Sequence, residues 1–259
     1  MREVPNTLKS VVAANDAAIG VWCSLASALT TEVVACSGAD WLLIDGEHSP
    51  NDLRNIMAQL QAAGQYPIEA VVRLPSDDPV LIKQHMDAGA RSLMVPNVQS
   101  AEQAQRIVAA TQYAPEGMRG FSVAHRANRF GRIKDYHANA RTHQLLVLQI
   151  ESEAGVANAA DIAAVDGVDV LFVGPGDLST NMNAMWAPDS DPVQTAIFRV
   201  LDAAMTAGKA AGILAPNRDD ARRYIDKGFT VVAVGSDLAL LAKGSDELVA
   251  AFKGDCNGS

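Results

Sequence analysis

Short apolar runs recur along the chain, and several break off abruptly into polar groups. The sharpest is Trp41-Leu42-Leu43-Ile44, which turns at once into Asp45-Gly46-Glu47-His48. Four apolar residues without a polar break suit a strand buried on both faces. Comparable runs predict strands over 19–22, 68–72, 92–95, 145–150, 168–173, 210–214 and 230–234. The segments between them have helical signals. Thr30 or Thr31 caps a helix that stops at Gly38. Ser49 with Pro50 opens a second helix, Asp78-Pro79 a third, and Ser100 with Gln103 a fourth. Further helices are expected over 153–164, 191–207, 217–227 and 238–252, whereas 113–143 is the least regular stretch.

Strands alternating with helices imply a parallel sheet. Eight such units in 259 residues imply a closed (β/α)8 TIM barrel of class α/β. An open doubly wound sheet is the alternative, but no Gly-x-Gly-x-x-Gly follows any of these strands. No Pro- or Ser-rich linker interrupts the pattern, so residues 1–259 read as one domain with its core over about 19–253.

Composition narrows the possible partners. At 49% apolar the chain can bury a sizeable core, and a net charge of −9 without a long basic run argues against nucleic acid and anionic membrane surfaces. Cys23, Cys36 and Cys256 are odd in number and form no Cys-x-x-Cys, which speaks against a disulfide framework or zinc site and for a reducing, cytoplasmic setting. The first 20 residues lack the apolar core of a signal peptide, and no stretch suits a membrane span. The tail from Gly254 to Ser259 is small and polar and is expected to fray.

In a barrel, chemistry collects just past the C-terminal ends of the strands. Those positions hold Asp45, Glu47 and His48 after the second strand, Arg73 after the third, and Gln149 and Glu151 after the fifth. Asp177 follows the sixth, and Gly235, Ser236 and Asp237 the eighth. Glu151 and Asp177 are placed either to share a hard divalent cation through oxygen alone or to bond backbone amides and cap helices. Arg73 either holds an anion or developing oxyanion, or pairs with Asp45 or Glu47. His48 is a candidate general base, with Asp87 a candidate to orient it; both also read as ordinary polar residues. His125, Arg126, Arg129, Arg132 and Lys134 make a local basic patch, which is either a solvated surface or an interface or lid. The lysines fall in helices, loops or the start of a strand, which disfavours an imine mechanism. Gly174-Pro175-Gly176-Asp177 lacks the Gly-Lys-Ser/Thr of a P-loop, yet its amides can receive a small anion.

Taken together, these segments resemble the HpcH/HpaI aldolase family of metal-dependent class II pyruvate aldolases. The segments carrying the likeness are 43–48, 71–73, 86–90, 95–96, 117–120, 149–151 and 172–179, in this order from about Gly20 to Ala242. The resemblance implies that Glu151 and Asp177 bind Mg2+, Mn2+ or Co2+, and that pyruvate chelates the ion. Gly176 and Asp177 amides, with Gln149 nearby, hold its carboxylate. Arg73 stabilises the enolate, and His48, supported by Asp45 or Asp87, moves protons. The reaction joins pyruvate to an aldehyde, or cleaves a 4-hydroxy-2-oxo acid in reverse. A citrate-lyase-like cleavage of a CoA-linked acid is the alternative. The family further implies a homohexamer, a trimer of dimers, with the last helix exchanged between subunits. Two features depart from it: Gly176 stands where a slightly larger residue is common, and 181–186 replaces a glycine-rich connection. The second leaves the identity of the aldehyde open.

Overall fold

The computed structural model describes residues 5–253; Cys256 and the polar tail lie outside them. Eight strands close a parallel barrel in sequence order, with β8 returning to β1. They are β1 (Ala18–Cys23), β2 (Trp41–Asp45), β3 (Glu69–Arg73), β4 (Ser92–Val95), β5 (Leu145–Ile150), β6 (Val170–Val173), β7 (Ala210–Leu214) and β8 (Val231–Ser236). The helices around them are α1 (Thr7–Ala14), α2 (Ala28–Ala35), α3 (Leu53–Ala63), α4 (Pro79–Asp87), α5 (Ala101–Thr111) and α6 (Tyr136–His143). They continue as α7 (Glu153–Ala157), α8 (Ala159–Ala163), α9 (Pro175–Asn181), α10 (Asp191–Thr206), α11 (Arg218–Lys227) and α12 (Asp237–Lys253). The expected TIM barrel is the observed fold.

Alternation along each strand divides the apolar side chains into two cores. Trp41, Leu43, Val71, Val147 and Phe172 fill the barrel interior, while Leu42, Ile44, Val72, Leu148 and Val173 pack outward with the helices. The same parity turns Asp45, Arg73 and Gln149, each two residues past an interior side chain, toward the barrel mouth. Small residues make room for the large ones. A side chain on Gly20 would overlap the Trp41 ring, so Gly20 is set by space rather than by turn geometry. Leu8 of α1 is fully buried in the interior core, closing the other end.

Strand β8 runs on to Ser236, two residues past the expected end, and three helix boundaries differ from the sequence expectation, each for a local reason. Helix α3 is capped by Asp52, whose carboxylate accepts from Asn55 N at 2.8 Å, and not by Ser49. The residues before it are occupied elsewhere: Ser49 Oγ donates to Asp45 Oδ2 at 3.3 Å and Asn51 Nδ2 to Asp45 O at 2.6 Å. Helix α2 begins one turn early because Ser27 is its cap, while the Thr30 and Thr31 hydroxyls donate back to Ser27 O. The expected helix over 153–164 breaks at Asn158, whose Nδ2 donates across to Gln99 O at 2.7 Å. Helices α1, α6 and α9 were not anticipated; α6 is polar on most faces and has no clear period. Cys23 and Cys36 are free thiols.

Candidate active site

The register between β2 and β3 sets Asp45 directly beside Arg73. The two form a bidentate pair, with Arg73 Nε on Asp45 Oδ1 at 2.9 Å and Nη2 on Oδ2 at 2.8 Å. Arg73 Nη1 reaches Glu47 Oε2 at 2.9 Å, and the guanidinium carbon lies 5.1 Å from the Trp22 ring centroid. Arg73 is therefore both buried and aimed: its fork is fixed by Asp45 and its remaining edge leans on Glu47. Asp45 also accepts from the N–H groups of Glu47 and His48, at 3.0 and 3.3 Å. Burial alone would raise the Asp45 carboxyl, but the Arg73 bonds and charge with those two N–H groups hold it below the ordinary range. Asp45 thus organises the turn that presents Glu47 and His48, and its oxygens are occupied by these bonds. The His48 ring is exposed, its Nε2 3.9 Å from Glu47 Oε2.

Across the mouth, Glu151 is buried at the end of β5. Its Oε1 accepts from Asn97 N at 2.8 Å and its Oε2 from Gln149 Nε2 at 2.8 Å. Gly174, leaving β6, passes so close that a Cβ there would stand 2.6 Å from Glu151 Oε2. Asp177 is exposed in the first turn of α9, with Gly176 before it. A Cβ on Gly176 would meet nothing, so glycine there leaves space rather than avoiding a clash. Burial first, then the charges of Asp177 and Glu47, pushes the Glu151 carboxyl up to about 7, against the Asn97 N–H and Arg73. Burial likewise raises Glu47, helped by Asp45 and Asp177 and opposed by Arg73 and His48.

Glu47, Glu151 and Asp177 thus form a mutually repelling acidic group at one end of a barrel. Two of them, Glu151 and Asp177, have the donor chemistry of a hard divalent cation: both are carboxylates, and the buried Gln149 Oε1 beside Glu151 has no hydrogen-bond partner among the described residues. Among the described residues no group of three or more His, Cys, Asp and Glu is placed to hold a metal ion together, so an ion here would rest on two carboxylates. An ion held by Glu151 and Asp177 would keep most of its shell open to substrate and water.

Asp87 is not brought to this group within the chain. It ends α4, on the side where the chain enters β4, so it lies at the opposite end of the barrel. There it accepts from Arg119 Nη2 at 2.7 Å, with His125 Nε2 3.9 Å away. The basic patch lies at that end too: Arg126 Nη1 donates to Ala88 O at 2.8 Å. Two hollows also open there, one bordered by Lys9, Arg91 and Asp169 and the other by Glu69, Arg91 and Arg126. Their charges are largely matched internally, with Arg91 on Glu69 and Lys9 Nζ 3.7 Å from Asp169. Asp237, at the end of β8, accepts from Ser24 N at 2.7 Å and ties the β1 turn to β8. The 181–186 segment has Asn183 and Trp186 in left-handed conformations, with Met185 and Trp186 exposed.

Sequence reasoning missed Asn97. Pro96 ends β4 in that reading, and a backbone N–H donor carries no side-chain signature. The available signal was asparagine after proline, a residue that tolerates the left-handed conformation seen here, at φ 52°.

The profile of the HpcH/HpaI aldolase/citrate lyase family matches residues 18–244. The chain belongs to this family. Among its relatives, the 5-keto-4-deoxy-D-glucarate aldolase of Klebsiella pneumoniae subsp. pneumoniae is 45% identical over 249 residues, covering 96% of this chain and 97% of its own. The hydroxypyruvate/pyruvate aldolase of Chromohalobacter salexigens is 49% identical over 240 residues, covering 92% and 94%. The crystal structure of an HpcH/HpaI aldolase/citrate lyase family protein from Burkholderia cenocepacia superposes with a TM-score of 0.92 at 37% identity, covering 95% of this chain and 98% of that one. Like those two relatives, this HpcH/HpaI family member is an aldolase, a carbon–carbon lyase acting on small molecules. No helix among its described residues is long and apolar enough to cross a membrane.

Proposed function

We propose that this aldolase is of the metal-dependent class II type and reversibly cleaves 4-hydroxy-2-oxo acids into pyruvate and an aldehyde. The observation that carries the reading is the pairing of an acidic oxygen cluster, Glu47, Glu151 and Asp177, with a buried arginine aimed at the same mouth. No strand among the described residues contains a lysine, so the barrel wall offers no amine for an imine. Mg2+, Mn2+ or Co2+, held by Glu151 and Asp177, would supply Lewis-acid polarisation of a 2-oxo acid. Gly176, Asp177 and Gln149 bind its carboxylate. Arg73 stabilises negative charge as it develops on the keto oxygen, and its pairing with Asp45 spares it reorganisation at that moment. His48, on the turn that Asp45 organises, takes and returns the proton at the 4-hydroxyl. The names of the two relatives support a deoxy keto sugar acid or a hydroxypyruvate-derived compound as substrate.

The alternative, cleavage of a CoA-linked acid, needs cations beside the chemistry. The 125–134 patch instead packs against the α4–β4 junction at the other end. We further propose a homohexamer built from dimers with α12 exchanged. In support, α12 leaves Leu238, Leu240, Leu241, Leu248 and Phe252 exposed, an apolar face unusual for a free surface. Asp87 can then support His48 only across a subunit boundary.

Purified protein is expected to release pyruvate from 4-hydroxy-2-oxo acids in a coupled assay. For His48→Ala, kcat should fall by about 10²–10⁴-fold, with Mn2+ affinity unchanged. Unaltered kcat removes His48 from the mechanism, and no pyruvate from any such acid refutes the reaction.

A further inference from the structure

The carboxylate of Glu151 is fixed by two donors, and one of them depends on an unusual piece of backbone. Gln149 Nε2 holds Oε2 from the same strand. Asn97 N holds Oε1 from the turn after β4, in the left-handed conformation at φ 52°. The next amide, Val98 N, donates to Gln149 O at 2.9 Å. Two consecutive N–H groups therefore both face the end of β5. In an extended chain successive residues face opposite sides, so only a local reversal permits this.

The reversal is held from several directions. Asn97 Oδ1 accepts from Gln99 Nε2 at 2.8 Å, Gln99 N donates to Gln103 Oε1 at 2.9 Å, and Gln99 O accepts from Asn158 Nδ2 at 2.7 Å. Gly155 lets the turn sit low, since a Cβ there would be 2.7 Å from Val98 O. A non-glycine residue at positive φ that its surroundings over-determine is the kind of local strain found at functional sites.

We propose that Asn97 is a positioning residue for the aldol reaction: its left-handed backbone aims the amide that orients Glu151 for the divalent ion. This rests on the reading of Glu151 as an ion ligand. The side chain at 97 then matters chiefly for the conformation it allows; the one bond it accepts, from Gln99 Nε2, is solvent-exposed and adds little. Glycine should serve as well as asparagine, and a β-branched residue should not.

The test is Mn2+ affinity, read from the paramagnetic resonance of free Mn2+ on the full-length protein, alongside steady-state kinetics. Asn97→Gly should bind Mn2+ within about twofold of wild type. Asn97→Val should bind about fivefold more weakly or worse, with kcat reduced in step. If the valine variant does not fold, Asn97→Ala should show the same direction more mildly. Wild-type affinity in the valine or alanine variant overturns the proposal, and so does a glycine variant as weak as the valine one. Glu151→Gln separates the two claims: if it keeps wild-type Mn2+ affinity the ligand assignment itself fails, whereas its loss with indifferent Asn97 variants leaves that assignment standing and refutes only the role of Asn97.

Discussion

Glu151→Gln should lower pyruvate release by about three orders of magnitude, because the Lewis acid is worth several kcal/mol in the transition state. The substitution is nearly isosteric and the site can absorb it. The new amide can keep its oxygen on the Asn97 N–H and turn its nitrogen to Gln149. Gln149 Oε1, which has no hydrogen-bond partner among the described residues, is available to accept it after an amide flip. Loss of activity with an intact fold is therefore the expected pairing. Stability gives a second readout. An acid whose carboxyl is raised to about 7 from 4.5 by burial and neighbouring carboxylates stays protonated in the fold while the unfolded chain ionises. Without metal, the wild-type protein should then lose stability as pH rises from about 4.5 to 7. Demetallated Glu151→Gln should lose less over that window and melt higher than wild type at pH 8. Equal melting temperatures there would mean that the carboxylates are relaxed without an ion.

Arg73→Ala carries the second large effect, and it falls on both stability and rate. Asp45 would be left buried without its partner, a change that typically costs about 3–5 kcal/mol. Turnover should fall about 10²–10³-fold through loss of the oxyanion donor. Arg73→Lys tells the two effects apart. It keeps a charge beside Asp45 but lacks the planar fork that reaches Asp45 and Glu47 together. Part of the stability should return while kcat stays low. Denaturant unfolding and steady-state kinetics on the two variants check this, and full turnover in the lysine variant would show that charge alone suffices.

Much of the barrel was legible because a parallel strand buried on both faces writes an unbroken apolar run. All eight strands stand where such runs occur, and Asp45, Arg73, Gln149 and Glu151 follow from parity at their ends. Helix starts were less legible where a polar side chain had another use. Ser49 looks like a cap in sequence, but the carboxylate of Asp45 claims it. Asp87 marks a different limit. Its segment is part of the family likeness, yet its place at the end of a helix, not of a strand, puts it far from His48 in one chain. Asn97 was hidden because its contribution is an amide and a dihedral angle. Glu47 was ambiguous in sequence; it proves to touch Arg73 and to share the acidic field of Glu151 and Asp177.

The central claim is that Glu151 and Asp177 hold one divalent ion and that aldol cleavage depends on it. Protein stripped with EDTA and dialysed should release no pyruvate from a 4-hydroxy-2-oxo acid. Adding back Mn2+ or Mg2+ should restore release, saturating at one ion per chain. Undiminished turnover in fully demetallated protein would contradict the account.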